Sequence, residues 1–124
     1  MKNIILIMTL FSTLFGTNAQ KSETIKILTA SDFKKAIENN DVQLVDVRTA
    51  QEFNDGAIDK AVNIDFFLTD SFGSKFAKLD MNEPVYIYCR SGNRSQKAAA
   101  ILSEVGFKKI YDLKGGYMNW PYKN

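Results

Sequence analysis

The chain has 124 residues, with 16 lysines and arginines against 14 aspartates and glutamates, a formal net charge of +2 that gives no support to polyanion or nucleic-acid binding. It has no histidine and one cysteine, Cys89. That excludes Cys-His and Ser-His-Asp catalysis, imidazole metal sites, a CxxC redox pair and an intrachain disulfide.

In chain order, Lys2 precedes an apolar run from Ile4 to Phe15, and Thr17-Asn18-Ala19 puts small residues where a signal peptidase reads. The run is shorter than the roughly 20 residues that span a bilayer. The expectation is a signal peptide over residues 1–19 and an exported protein starting at Gln20, periplasmic in a two-membrane source, with an uncleaved anchor as the alternative. Residues 20–124 then form one domain around one core, with no stable membrane span. Only Lys2 is lost among the charges, so the mature chain is close to neutral.

Thr24 to Leu28 reads as a strand, and Ser31-Asp32 opens a helix through Phe33, Ala36 and Ile37 that ends at Asn39-Asn40. Val42 to Val47 reads as a buried second strand. Thr49 caps a short helix containing Glu52 and Phe53, terminated by Asp55-Gly56. Arg48 and Glu52 are spaced to pair across one helical turn, a structural role. Ala61 to Ile64 is a third strand. Phe66 to Leu79 is apolar at helical spacing but interrupted by Gly73, which predicts two helical pieces.

Glu83-Pro84 introduces the apolar strand Val85-Tyr86-Ile87-Tyr88, which gives way at Cys89 to Arg90-Ser91-Gly92-Asn93-Arg94-Ser95. The helix from Gln96 to Val105 follows, with Ala98, Ala99, Ile101, Leu102 and Val105 for packing and Gly106 as its C-terminal cap. Ile110-Tyr111 is the last strand, and Gly115-Gly116 turns the chain into a short helical end with Tyr117, Met118 and core Trp120. Alternation of this kind implies a mostly parallel α/β sheet with helices on both faces, with ligands beyond the carboxyl ends of the strands. Lone cysteines are often small buried hydrophobes. Here, though, the thiol stands before a helix N-terminus, with Gly92 for a sharp turn, Arg90 and Arg94 for negative charge, and Ser95 for hydrogen bonding. Those surroundings favour a nucleophilic thiolate acting on an anionic substrate.

Four separated stretches then agree: Asp46-Val47-Arg48 with Glu52-Phe53; Gly56-Ala57-Ile58 with Ala61 and Asn63-Ile64; Cys89 through Ser95; and Gly115-Gly116 with Trp120. In this order they resemble the signatures of a single-domain rhodanese. The resemblance implies a five-stranded parallel sheet and a sulfurtransferase that carries sulfur as a persulfide on Cys89, with Arg90, Ser91, Gly92, Asn93, Arg94 and Ser95 around the substrate. It implies no metal or organic cofactor. Expected partners are a small-molecule sulfur donor and acceptor, or an exported acceptor protein, and one core with short loops is compatible with a monomer. Two positions depart from the family pattern: Ala57 stands where a histidine is usual, and Lys60 where a glycine is expected. The alternatives are a non-enzymatic binding or thiol-sensing module on the same fold, and a cysteine phosphatase. The phosphatase loop normally has five residues between cysteine and arginine, whereas four separate Cys89 from Arg94.

Overall fold

The computed structural model describes residues 24–123. The expected signal peptide lies outside the described residues. Five strands are present: β1 (Ile25–Leu28), β2 (Gln43–Asp46), β3 (Val62–Asn63), β4 (Val85–Tyr88) and β5 (Ile110–Leu113). They form one fully parallel sheet in the order β1-β5-β4-β2-β3. Four helices connect them: α1 (Ala30–Ile37), α2 (Ala50–Asp55), α3 (Thr69–Phe76) and α4 (Asn93–Val105). A 3₁₀ turn, Tyr117–Asn119, follows β5.

Parallel strands are covered on both faces, and alternate residues of β4 show how. Val85, Ile87 and Cys89 pack with Phe72 and Phe76 of α3 and with Ala98, Ala99 and Leu102 of α4. Tyr88, with Tyr86 packed alongside, faces the other way, toward Phe33 of α1, Ile58, Leu113 and Trp120. The expected α/β architecture is therefore present, and Trp120 is core.

Several boundaries differ from the sequence reading. Helix α1 starts at Ala30 because the Thr29 hydroxyl accepts the Asp32 N–H at 3.2 Å, an N-cap two residues ahead of Ser31. Helix α3 is continuous through Gly73. A Cβ at Gly73 would meet open space, so that position carries no packing, while Phe72 and Phe76, one turn apart, lock into the core with ring centroids 4.8 Å apart. Burying two phenylalanines outweighs the ~1 kcal/mol a mid-helix glycine costs. Helix α4 begins at Asn93 rather than Gln96, because Gly92 takes φ 116° and its carbonyl accepts the Gln96 N–H. Its buried stripe is Ser95, Ala98, Ala99 and Leu102, which leaves the expected core residues Ile101 and Val105 45% and 57% exposed. Strand β5 runs on to Leu113 and so brings Asp112 into the sheet.

Lys60, standing where the resembled family has glycine, takes φ 71°, in the left-handed region. That conformation costs a side-chain-bearing residue about 1–2 kcal/mol, and a glycine gives back part of the gain through its freer unfolded chain. Lys60→Gly is expected to stabilise the protein by roughly 0.5–1 kcal/mol. The urea midpoint should rise at unchanged m-value, and a fall would show that the lysine side chain makes a compensating contact.

Candidate active site

Strands β2 and β4 lie side by side, and the chains leaving them diverge, β2 toward β3 and β4 toward β5. The Val47 N–H bonds the Tyr88 carbonyl at 2.9 Å, so the segments after both strands stay together at this crevice. Arg48, Glu52 and the Cys89 loop meet there.

Cys89 is 1% exposed. Its Sγ accepts the Gly92 N–H at 3.0 Å, and its thiol donates to Ser95 Oγ at 3.4 Å. Ser95 is fully buried, and its own hydroxyl donates to the Gly92 carbonyl at 3.2 Å. Gly92 caps α4, so the sulfur sits at the positive end of that helix. Of the loop expected around the substrate, the structure thus gathers Cys89, Gly92 and Ser95. Arg90, Ser91 and Asn93 are exposed around them. Among the described residues, the hydrogen bond to Sγ from a loop amide is that of Gly92.

The loop is held from behind by the last turn. The N–H groups of Tyr117 and Met118 donate to the carbonyls of Cys89 and Arg90 at 2.8 and 2.9 Å. Gly116, at φ 63°, makes this approach possible, since a Cβ there would overlap both carbonyl groups.

The two inner arginines are both paired, though not as their spacing suggested. Arg48 does not bond Glu52. It grips the fully buried Asp46 through Nε, 3.0 Å from both carboxylate oxygens, and through Nη2, 2.7 Å from Oδ2. Nη2 also reaches the Gly56 carbonyl at 2.6 Å, and the guanidinium lies 4.5 Å from the Tyr117 ring centre. Burial works against the Arg48 charge, but the hydrogen bonds and charge of Asp46 outweigh it and raise its pKa. Glu52 turns instead to Arg94, in a two-pronged pair at 2.7 and 2.9 Å. Glu52 also closes a capping box, accepting the Thr49 N–H at 3.0 Å while Thr49 Oγ1 accepts the Glu52 N–H at 3.2 Å. The Arg94 hydrogen bond, followed by the Thr49 bonds, overcomes burial and holds the Glu52 carboxyl at about 2. Arg94 is itself raised by Glu52 and, to a lesser degree, by the charge of Cys89.

Arg90 is the cation left toward solvent. It forms no salt bridge among the described residues. It lines a shallow depression with Arg48, Glu52, Gly56, Tyr117 and Met118, beside the Cys89–Arg90 backbone. One residue the sequence reading missed is Asp112, buried near Ser95. Its signal was an acidic residue at a strand position of the same parity as buried Ile110.

Glu52 binds its proton more weakly folded than unfolded, so its pairing contributes stability that is full above about pH 4.5 and is lost as pH falls toward about 2. Glu52→Gln should therefore be less stable than the wild type by a constant margin above pH 5, and the margin should close on acidification. Urea melts of both proteins from pH 2.5 to 7 measure this; a margin independent of pH would assign the loss to capping alone.

Comparison with known proteins agrees with this geometry. Residues 29–122 match the family model described as a rhodanese-like domain. The chain is 34% identical over 101 residues to thiosulfate sulfurtransferase GlpE of Shewanella oneidensis, covering 82% of this chain and 97% of that one. It is also 34% identical over 88 residues to tRNA uridine(34) hydroxylase of Pelagibacter ubique, covering 71% of this chain but 29% of that protein. Among solved structures, a rhodanese-like domain protein from Staphylococcus aureus superposes with a TM-score of 0.68 at 31% identity, covering 80% of this chain and 96% of that one. On fold, site and sequence together, the chain belongs to the rhodanese-like domain family.

Proposed function

We propose that this chain, a rhodanese-type sulfurtransferase, moves sulfane sulfur from thiosulfate or a similar donor to cyanide or a thiol through a persulfide on Cys89. The observation that carries the reading is the sulfur itself, set at the carboxyl end of a central strand, 3.0 Å from the Gly92 N–H and at the N-terminus of α4. Relatives named as thiosulfate sulfurtransferases support it. The Cys89 thiolate attacks the outer sulfur of thiosulfate, a new S–S bond forms, and sulfite leaves with the electron pair of the old one. The terminal sulfur carries negative charge, which the Gly92 N–H, the helix end and the nearby Arg94 stabilise. The acceptor then attacks that sulfur and releases the thiolate.

The pairing of the arginines redistributes their roles. Arg94, occupied by Glu52, contributes positive potential near the sulfur, whereas exposed Arg90 is the one with its guanidinium open to the oxyanion end of a donor. The signal-peptide pattern of residues 1–19 supports a reaction outside the cytoplasm, on small molecules or on an exported acceptor protein.

The near-complete burial of Cys89 favours one rival, a thiol-sensing or binding module without turnover. Intact mass spectrometry after incubation with thiosulfate separates the two. A gain of about 32 mass units, removed by cyanide or a thiol and absent in Cys89→Ser, is the expected result. No gain on a thiol that still alkylates would favour the module. Arg90→Ala is expected to raise the KM for thiosulfate about tenfold, the loss of one charge-assisted contact. Steady-state kinetics check this, and an unchanged KM would return the oxyanion role to Arg94.

A further inference from the structure

Between α1 and the last turn lies a cavity of about 330 Å³ that the sulfur-transfer steps do not use. Its size is at the lower end for small-molecule sites, enough for a ligand of one ring and a few substituents. The wall is aromatic, formed by Tyr117, Trp120 and Tyr122. Neighbouring rings fix it, with Trp120 edge-on to Phe33 at 6.1 Å and to Tyr122 at 5.0 Å between ring centres. Rings held in this way offer a flat apolar surface with little further ordering to be done on binding.

Charges line the same cavity, three lysines (Lys34, Lys60 and Lys123) against Glu38 and Asp59, so one positive charge is in excess. Two of the lysines are engaged. Lys34 pairs with Glu38 at 3.3 Å and lies 5.0 Å from the Tyr122 ring centre. Lys123 donates to the Met118 carbonyl at 3.3 Å and lies 4.6 Å from the Tyr117 ring centre. Lys60 forms no salt bridge among the described residues.

Backbone strain singles out the same lysine. The positive-φ residues other than glycine, among the described residues, are Asn39 at 59° and Lys60 at 71°, and both line this cavity. Asn39 directly follows the Glu38 cap of α1, a position where asparagine takes the left-handed conformation readily. Lys60 follows no helix, and its conformation costs about 1–2 kcal/mol. A side chain standing at a cost in stability where a cavity has its unpaired cation points to a ligand for that cation.

We propose that this cavity binds a small organic anion, a carboxylate on a flat unsaturated body, with the rings of Tyr117, Trp120 and Tyr122 against the body and Lys60 as counter-ion to the carboxylate. Tyr117 also lines the depression that holds Arg90, and its ring centre has Arg48 at 4.5 Å as well as Lys123 at 4.6 Å, so the two sites share one wall. The anion site rests on no step of sulfur transfer.

Trp120 is the one tryptophan of the chain, so its indole N–H gives a single, self-assigning peak in a nitrogen–proton NMR spectrum of the whole protein. The probes are benzoate and its neutral isostere benzamide. Benzoate is expected to move the Trp120 peak saturably at millimolar concentration, and benzamide to bind about tenfold more weakly, the loss of one charge-assisted contact. The two probes should bind alike in Lys60→Gly, and also in Lys60→Gln, which keeps the side-chain length without the charge. No saturable shift with benzoate, equal binding of both probes by the wild type, or a benzoate preference that survives either substitution would overturn the inference. The wild-type comparison holds whether or not a variant folds. Because nothing turns over in this measurement, a failed sulfur-transfer assay leaves the anion site standing, and failed binding leaves the sulfurtransferase reading standing.

Discussion

The passage from β4 into α4 is the constraint on which the rest of the molecule depends. Within four residues the chain must leave a buried central strand, turn, and start a helix, and Gly92 does this at φ 116°. The left-handed conformation is nearly free for glycine and costs other residues about 1–2 kcal/mol. Because the turn is so short, the first free amide of the helix falls on the sulfur that ends the strand, and Ser95, one turn in, falls beneath it. A longer loop would have left the thiol in solvent and the helix end elsewhere. The docking of Tyr117 and Met118 onto the Cys89 and Arg90 carbonyls then fixes the loop from outside, which is why Gly116 has no room for a side chain.

Two ion pairs frame that loop, and they do different work. Asp46–Arg48 is almost fully removed from water and anchored by the Gly56 carbonyl and the Tyr117 ring. Losing one partner of such a pair typically costs about 3–5 kcal/mol, because the other charge is stranded. It ties the end of β2 to the segment before β3 and to the last turn, so it is architectural. Glu52–Arg94 is more exposed and worth less in stability. Its importance lies in fixing a guanidinium near the sulfur through a carboxylate that the α2 capping box already holds.

Few polar side chains lie inside this small core. Asp46, Arg48, Ser95 and Asp112 are the buried polar or charged side chains among the described residues. The first two neutralise each other, and Ser95 accepts a hydrogen bond from the Cys89 thiol. A buried carboxyl with an unsatisfied oxygen opposes stability unless it is protonated or used.

The sequence by itself determined the alternation of strands and helices, the one thiol and its place between them, and the caps at Thr49 and Gly106, because periodicity, cap chemistry and glycine conformation are local. It misread the break at Gly73 and the packing of Ile101 and Val105, since only the position of the sheet says which face of a helix is covered. It also misassigned the partners of Arg48 and Glu52. Helical spacing proposed each to the other, yet Asp46 and Arg94 are nearer in space, Arg94 being 42 residues away along the chain from Glu52. The burial of Asp112 against Ser95 was likewise a decision of tertiary structure. Parallel strands bring together residues far apart in sequence, and the charge a carboxyl keeps depends on the water and partners that this packing leaves it.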